Sequence, residues 1–469
     1  MTTFLSGLKG KRSTFLVLIV ASIFHLSSLL HVYGWADDWA FISGYRVNTE
    51  GISTEHLSGL RPLLQILMDI SFGNIQNYEN LVFLRVISLI GMLLLTFTLI
   101  QFLIDEGYSR NLALSFGLFL NLLPTFWIYT NWASVFTYSW VCFFTVIAFK
   151  VYKQSNLAGI IINTLCFLVY QPAAVFSTFL LFAVFLRHKS ISRRDYFYLV
   201  SIISSAAFAY LIANLVVYFS KSPIKGRTNL VDSGTELIEK ILWLVSRPIF
   251  LSIRPFVIES SGPLAVAISI MGVFLSTVAL LNLFSGRSWW KSSLILALIY
   301  AVALLPILVI AENQIEFRTI PATSSIGLLL VLRGGQLVFS RIKFLKIEVV
   351  TVALFVFLSF YASTKVSSIF LESFESNKKE ILLATEQSNE ITRYWIYSDE
   401  LTWPQNNYIG ALSVISDLQM PWVPVGQISQ ILKIDESRIS MIEKPFVSSP
   451  PRRVVINLSV IRQELKPVN

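Results

Sequence analysis

The chain has 469 residues, of which 54% are hydrophobic and 14% are charged, and its formal net charge is +9. Apolar runs of about 20 residues recur through its first three quarters, and each can cross a hydrocarbon layer roughly 30 Å thick as a helix. This composition excludes a soluble globular protein and predicts an all-α polytopic membrane protein. The positive charge belongs to this membrane part, where it sets topology and attracts anionic lipid, so no nucleic-acid partner is predicted.

The apolar runs predict about eleven transmembrane helices. The first has too long an apolar core for a signal peptide, and further spans follow it. Lys and Arg cluster at the N-terminus and in alternate loops, which predicts a cytoplasmic N-terminus and an extracytoplasmic C-terminus. The predicted spans are 13–34, 80–103, 111–130, 133–150, 156–170, 173–187, 196–219, 262–284, 292–311, 319–339 and 347–365.

The segment 156–187 is short for two spans and long for one. Its centre reads "YQP", and Pro172 lacks a backbone donor and disfavours helix at Gln171. This tripeptide is therefore either the tip of a shallow hairpin or a kink.

The composition changes after residue 365, where acidic and basic residues nearly balance. The runs "YIGALSVI" (408–415) and "RRVVINLSVI" (452–461) are typical of short strands, and a helical pattern precedes them. The sequence therefore predicts a transmembrane domain at 1–365 and a small soluble α/β domain at 366–469, on the extracytoplasmic side.

The first span ends in "GWADDWA", in which Asp37 and Asp38 are adjacent and lie between Trp35 and Trp39. Ionisable groups at membrane depth are costly and tend to be functional, but two carboxylates at a helix end can also form a solvated junction. Spacing alone leaves both interpretations open. The tryptophans at 35, 39, 127 and 132 fit an interfacial aromatic belt better than a sugar platform.

Further charged residues lie in outward-facing loops. The first loop continues into "GLRPLLQILMDISF", whose leucines at helical spacing predict an interfacial helix that starts near Arg61. A later loop, "AENQIEFRTIP", holds Glu316 and Arg318. Between them, one loop breaks the positive-inside rule with Lys221, Lys225, Arg227, Arg247 and Arg254. Carboxylates and cations from these loops are expected to converge in an outward cavity.

No metal or cofactor is predicted. The four histidines have no ligand spacing such as HExxH, and nothing in the sequence resembles a P-loop. Cys142 and Cys166 lie inside predicted spans, where a thiol behaves as a small apolar group.

The motifs "ADDW", "GLRPLLQ", "VYQPA" and "FRTIP", in this order and followed by a soluble tail, resemble the GT-C glycosyltransferases. Within that class they are most similar to the serotype-converting O-antigen glucosyltransferases of bacteria and their phages. The resemblance covers the membrane part. It implies a multi-pass enzyme of the bacterial inner membrane that moves a sugar, glucose in that family, from undecaprenyl phosphate to an O-antigen-like glycan on the periplasmic side.

The resemblance also implies roles for individual residues. Asp37 is the preferred general base and Asp38 its partner, although the order within the pair stays open. Arg61 and Arg318 are the leading donor-phosphate clamps, because a guanidinium can grip phosphate oxygens bidentately. A second set of phosphate-binding candidates comprises Lys225, Arg227, Arg247 and Arg254. The substrate-binding candidates are Trp35, Trp39, Tyr170, Gln171 and Glu316.

Two other functions remain open at this point. A lipid-linked oligosaccharide flippase or transporter would also use an outward basic cavity, but it predicts ionisable groups along a path through the helices. An O-antigen polymerase would use outward loops and a polyprenyl carrier without needing an acidic pair after the first span. The concentration of ionisable groups on one side favours the glycosyltransferase.

Overall fold

The fold is given by a computed structural model. It describes residues 2–35, 37–39, 41–42, 55–75, 77–222, 234–257, 263–285, 289–310, 317–340, 347–367, 371, 373–386, 393–397, 422–433, 439–442 and 453–457. Most of these residues are helical.

The helices up to residue 220 carry the candidate site. They are α1 (Thr2–Phe24), α2 (Leu26–Leu30), α3 (Glu55–Ser58), α4 (Pro62–Phe72), α5 (Leu81–Asp105), α6 (Arg110–Leu120), α7 (Pro124–Asn131), α8 (Tyr138–Tyr152), α9 (Asn156–Val169), α10 (Gln171–Ala174), α11 (Thr178–His188) and α12 (Arg193–Ser220). The later helices are α13 (Gly234–Leu244), α14 (Phe250–Ser252), α15 (Pro263–Phe284), α16 (Trp289–Ala303), α17 (Leu305–Leu308), α18 (Pro321–Phe339) and α19 (Ile347–Val366).

Several described helical stretches are long and apolar enough to cross a membrane. By length and composition there are six: Tyr78–Asp105, Ala133–Tyr152, Gln171–His188, Arg193–Ser220, Pro263–Phe284 and Pro321–Phe339. The pair α6 and α7, bent by 52°, could form a seventh. The larger number of crossings stays a prediction.

The predicted span 111–130 is not one straight helix. It divides into α6 and α7 because Leu123 is extended, with φ −71° and ψ 135°, and Pro124 starts a new helix. The chain breaks again at Tyr170, with φ −155° and ψ 106°, and the next helix begins at Gln171. The break that Pro172 predicts is present, but it lies at Tyr170; Gln171, where helix was expected to be disfavoured, is already helical.

Serine caps fix where three of the helices begin. The side chains of Ser109 and Ser155 accept hydrogen bonds from the backbone of the first turns of α6 and α9. Ser192 and Asp195 form a reciprocal capping box at the start of α12. These caps align the ends of the helices that lie far from the acidic pair.

Glycines let α18 approach its neighbours closely. A Cβ on Gly327 would collide with the carbonyl oxygen of Ser252, and one on Gly334 would collide with that of Leu275. Small residues that allow such backbone contact are typical of helix packing in membranes. α18 is thereby fixed beside α14 and α15, with its N-terminus next to the candidate site.

The C-terminal part contains a small parallel sheet. β1 (Arg393–Tyr397) pairs with β2 (Ile439–Ile442) on one side and β3 (Arg453–Asn457) on the other, so the strand order is β2-β1-β3. Helices α20 (Ser373–Glu386) and α21 (Trp422–Leu432) contact each other, and they contact β3 and β2 respectively. The predicted strand at 408–415 lies outside the described residues, and the domain boundary stays a prediction.

Candidate active site

Asp38 is a buried carboxylate that is held by hydrogen bonds from two segments of the chain. Its side chain is fully buried. One carboxylate oxygen accepts a hydrogen bond from the backbone N–H of Trp35 at 3.0 Å. The other accepts from the backbone N–H of Ser134 at 2.7 Å and from the Ser134 hydroxyl. Asp38 therefore joins the segment after α1 to the turn between α7 and α8.

Burial also changes the proton affinity of this group. Loss of solvent raises the pKa of Asp38 from 3.8 to about 6, although the hydrogen bonds from Ser134 and Trp35 and the charge of Arg85 act in the opposite direction. Its neighbour Asp37 is only half-buried. The two adjacent carboxylates thus lie in different environments.

A second set of contacts holds the same segment from α5. Arg85 is 1% exposed and donates hydrogen bonds to the carbonyl oxygens of Tyr33, at 3.2 Å, and His31, at 3.3 Å. Its guanidinium carbon lies 3.9 Å from the centroid of the Tyr33 ring. The Tyr33 hydroxyl in turn donates to the carbonyl of Asn131 at 3.0 Å. The backbone that leads to the acidic pair is therefore held on two sides.

The interpretation of the tryptophans as an interfacial belt is wrong. Trp35, Trp39, Trp127 and Trp132 are each at most 2% exposed, whereas belt residues face the lipid interface. Their rings instead pack inside the protein. Trp35 meets Trp132 edge to face at 4.7 Å, and Trp39 stacks on Phe374 of α20 at 5.8 Å.

Arg318 lies at the centre of an aromatic cluster. Its guanidinium carbon is 4.6 Å from the centroid of Trp132. Its backbone carbonyl accepts hydrogen bonds from the hydroxyls of Tyr129, at 2.7 Å, and Tyr170, at 3.5 Å. Tyr170 also stacks on Tyr138, with ring centroids 3.6 Å apart. Through Trp132 this cluster reaches Trp35, beside the acidic pair.

Arg61 approaches the same tyrosine from another element. Its guanidinium carbon lies 5.1 Å from the Tyr170 ring centroid, and its Nε donates to the side-chain oxygen of Gln171 at 3.1 Å. The Gln171 amide donates to the carbonyl of Leu60 at 3.0 Å. Leu60 has φ +59°, a left-handed conformation that is rare for leucine and is here supported by that hydrogen bond.

The helix after Arg61 has one buried face and one exposed apolar face. Leu64, Met68 and Phe72 are buried, while Ile66 and Ile70 are exposed. The predicted leucine stripe is therefore divided between the two faces. The apolar exposed face fits the predicted interfacial position of α4.

Of the other predicted site residues, the structure describes Arg247 and Arg254. Arg247 is exposed in the π-helical turn Val245–Ile249. Arg254 is half-buried, with its guanidinium carbon 4.6 Å from the Phe250 ring centroid. This segment packs beside the second turn of α18, at Gly327. Lys225, Arg227 and Glu316 lie outside the described residues.

The contacts also identify residues that the sequence reasoning missed. Arg85 had a usable signal, because a single arginine inside an apolar span is costly and is commonly functional. Ser134, Tyr129 and Tyr138 had none, since a hydroxyl in an apolar run has no distinctive spacing. Among the described residues, no three His, Cys, Asp or Glu side chains form a group that could hold a metal ion.

No protein-family model matches the chain, and no curated protein matches it in sequence. Among solved structures, the oligosaccharyltransferase of Archaeoglobus fulgidus, crystallised with zinc and sulfate, aligns with 92% of this chain at 14% identity and a TM-score of 0.37. This chain covers 62% of that protein. A TM-score of this size does not define a shared fold.

Proposed function

We propose that this protein is a membrane glycosyltransferase of the GT-C type. It transfers a sugar, glucose by the family resemblance, from undecaprenyl phosphate to an O-antigen-like glycan. In this proposal the N-terminus is cytoplasmic, about eleven helices cross the bacterial inner membrane, and the α/β tail from residue 366 is periplasmic with the site.

The proposal rests on contacts that connect Arg61 and Arg318 to the acidic pair. The Arg61 guanidinium and the Arg318 backbone carbonyl both contact Tyr170. The Arg318 guanidinium lies over Trp132, which packs on Trp35 next to the acidic pair. A polyprenyl-phosphate sugar brings its own leaving group, so the protein needs only a base for the acceptor and positive charge for the departing phosphate. In this proposal the acidic pair supplies the base, and the two arginines supply the positive charge.

The environments of the two carboxylates support Asp37 as the base. Asp38 already accepts three hydrogen bonds and is fully buried, which suits a group that holds the loop. Asp37 is half-buried and lies on the same turn. It takes the proton of the acceptor hydroxyl as that oxygen attacks the anomeric carbon.

The phosphate leaves from the opposite face of the sugar. The bond between the anomeric carbon and the phosphate oxygen breaks, and its electron pair departs with undecaprenyl phosphate. Arg61 and Arg318 stabilise the charge that develops there. A single displacement inverts the anomeric configuration. Arg247, Arg254, Lys225 and Arg227 are secondary candidates for the phosphate, and Trp35, Trp39, Gln171 and Glu316 stay candidates for the sugar or acceptor.

The direct test is transfer by purified protein. Synthetic undecaprenyl-phosphate glucose, labelled in the sugar, is incubated with a panel of O-antigen-like acceptors, and the product linkage is determined by NMR. A glucosylated glycan of inverted configuration is expected. Movement of intact lipid-linked sugar across a vesicle without transfer would support a flippase, and joining of glycan repeat units would support a polymerase.

A further inference from the structure

A separate cleft of about 610 Å³ lies at the end of the bundle away from the acidic pair. It is formed where α8 ends at Tyr152, α9 begins at Asn156 and α12 begins at Arg193. Three helix ends at one level are expected where a membrane surface lies, because the backbone polar groups at these ends need water or polar partners.

The cleft has a basic end. Arg193 and Arg194 are exposed at its rim. Arg194 donates one hydrogen bond to the carbonyl of Tyr152 at 3.3 Å, which leaves further guanidinium donors available. Arg193 lies over the Phe197 ring at 5.4 Å. Among the described residues, neither arginine has a salt-bridge partner.

One nearby carboxylate, Asp195, offsets part of this positive charge. It accepts hydrogen bonds from both the backbone and the hydroxyl of Ser192, at 2.8 and 2.7 Å, and so it is held in the helix cap. Because two arginines face one carboxylate, this end of the cleft keeps a net positive charge. The first-turn amides of two helices add to the positive potential.

The rest of the cleft is mostly apolar, although Asn156 and two serines also line it, and it continues onto an exposed surface. Ile160, Phe197 and Val200 line it, and Phe197 and Val200 are 52% and 57% exposed. Ser201 and Ser204 also lie on this wall, but their hydroxyls donate to carbonyls of their own helix. From Arg193 to Ser204 the wall extends about 16 Å along the helix axis.

We propose that this cleft binds an anionic phospholipid, with its phosphate at Arg193 and Arg194 and an acyl chain along Phe197 and Val200. The two arginines match a negative headgroup, and the apolar wall opens to the side from which a lipid would enter. A soluble phosphate compound would leave that wall uncovered. The site does not depend on the proposed glycosyltransferase activity.

The test uses the full-length protein, stripped of lipid in detergent and titrated in native mass spectrometry. The ligands are phosphatidylglycerol, phosphatidylcholine with the same chains, and soluble glycerol 3-phosphate. Phosphatidylglycerol is expected to bind at concentrations at which the other two do not. The double variant Arg193→Gln, Arg194→Gln is expected to reduce its binding roughly tenfold or more.

Two further variants provide a control outside the cleft and a second change within it. Lys291→Gln removes another exposed cation at the start of α16, which also lies over an aromatic ring, and it should bind as the wild type does. Val200→Trp fills the apolar wall without touching either arginine and should weaken binding. The proposal is overturned if both cleft variants retain wild-type binding, if phosphatidylcholine binds equally well, or if glycerol 3-phosphate binds as tightly as the lipid.

Discussion

The charged side chains at the two ends of α5 lie in opposite environments. Near its start, Arg85 and the neighbouring Asp38 are buried and each is held by several hydrogen bonds. Just after its last turn, Glu106, which is 18% exposed, meets Lys153 at 3.5 Å and His188 at 3.6 Å, and those two partners are 45% and 51% exposed. Charges that are buried and oriented cost free energy to maintain, whereas exposed pairs cost little. The first end is therefore the one whose charges are held at a cost in free energy, and it is the end at which we propose the reaction.

The largest expected effect follows from changing the proposed base. Asp37→Asn keeps the shape of the side chain but cannot accept a proton at neutral pH, so single-turnover transfer should slow roughly a hundredfold or more. Donor binding should be largely retained. Asp38→Asn should slow transfer less, because Asp38 acts by holding the loop. Equal, near-wild-type rates in both variants would make the pair a simple helix junction.

The next largest effect is a loss of stability when the contacts of Arg85, at the buried end of α5, are removed. Arg85→Met removes both donors to the carbonyls of His31 and Tyr33. The Tyr33 carbonyl is buried, and an unsatisfied buried group costs about 1–3 kcal/mol. The thermal midpoint in detergent, followed by tryptophan fluorescence, should fall clearly, and Arg85→Lys should restore part of it.

Glu106→Gln is the matched control at the other end of α5. It breaks the pairs with Lys153 and His188, and pairs with such exposed partners are worth about 0–1 kcal/mol. Similar shifts for Arg85→Met and Glu106→Gln would remove the distinction between the two ends.

A smaller effect is expected on use of the sugar donor when Arg318 is replaced. Arg318→Ala should reduce donor use about tenfold or more and acceptor use less, because the lost contact is to a phosphate whose charge grows as the bond breaks. Arg318→Lys should recover only part, since an ammonium cannot reproduce the bidentate fork. A near-normal KM and kcat for the donor in Arg318→Ala would move the clamp to other cations.

The smallest effect is the dependence on pH. The raised pKa of Asp38 means that its neutral form contributes stability that is fully present below about 3.8 and is lost as the pH rises through about 6. The charged form is the better acceptor for the Ser134 donors, so transfer should increase severalfold as the pH rises through about 6. Asp38→Asn should lack this step in a rate profile from pH 5 to 8. A step that persists in the variant belongs to another group.

Much of the site was predictable because its charges are conspicuous in an apolar chain. Arg61, Arg318 and the tyrosine and glutamine at 170–171 were singled out from separate loops, and the structure brings them into contact. Their charged and polar side chains can be read directly from the sequence, and the predicted alternation of spans assigns their loops to the same side of the membrane.

The rest depended on packing that no local pattern encodes. Ser134 binds Asp38 across 96 positions of sequence, and its turn reads as an ordinary connection. The four tryptophans were misread because a tryptophan at a span end has the same sequence signature whether it faces lipid or the protein interior. Pro124 indicates a break within the predicted span 111–130. Hydropathy alone does not separate the two helices, and so it predicts a single span.

Photo-crosslinking tests most directly where the lipid-linked sugar reacts. An undecaprenyl-phosphate glucose analogue with a photoactivatable group next to the phosphate is bound to the purified protein, irradiated and mapped by peptide sequencing. We expect labelling within 55–72, 129–138, 170–174 and 317–324, with loss of the label in Arg61→Ala and Arg318→Ala. Labelling confined to 152–160 and 193–204, at the opposite end, would contradict the proposed site.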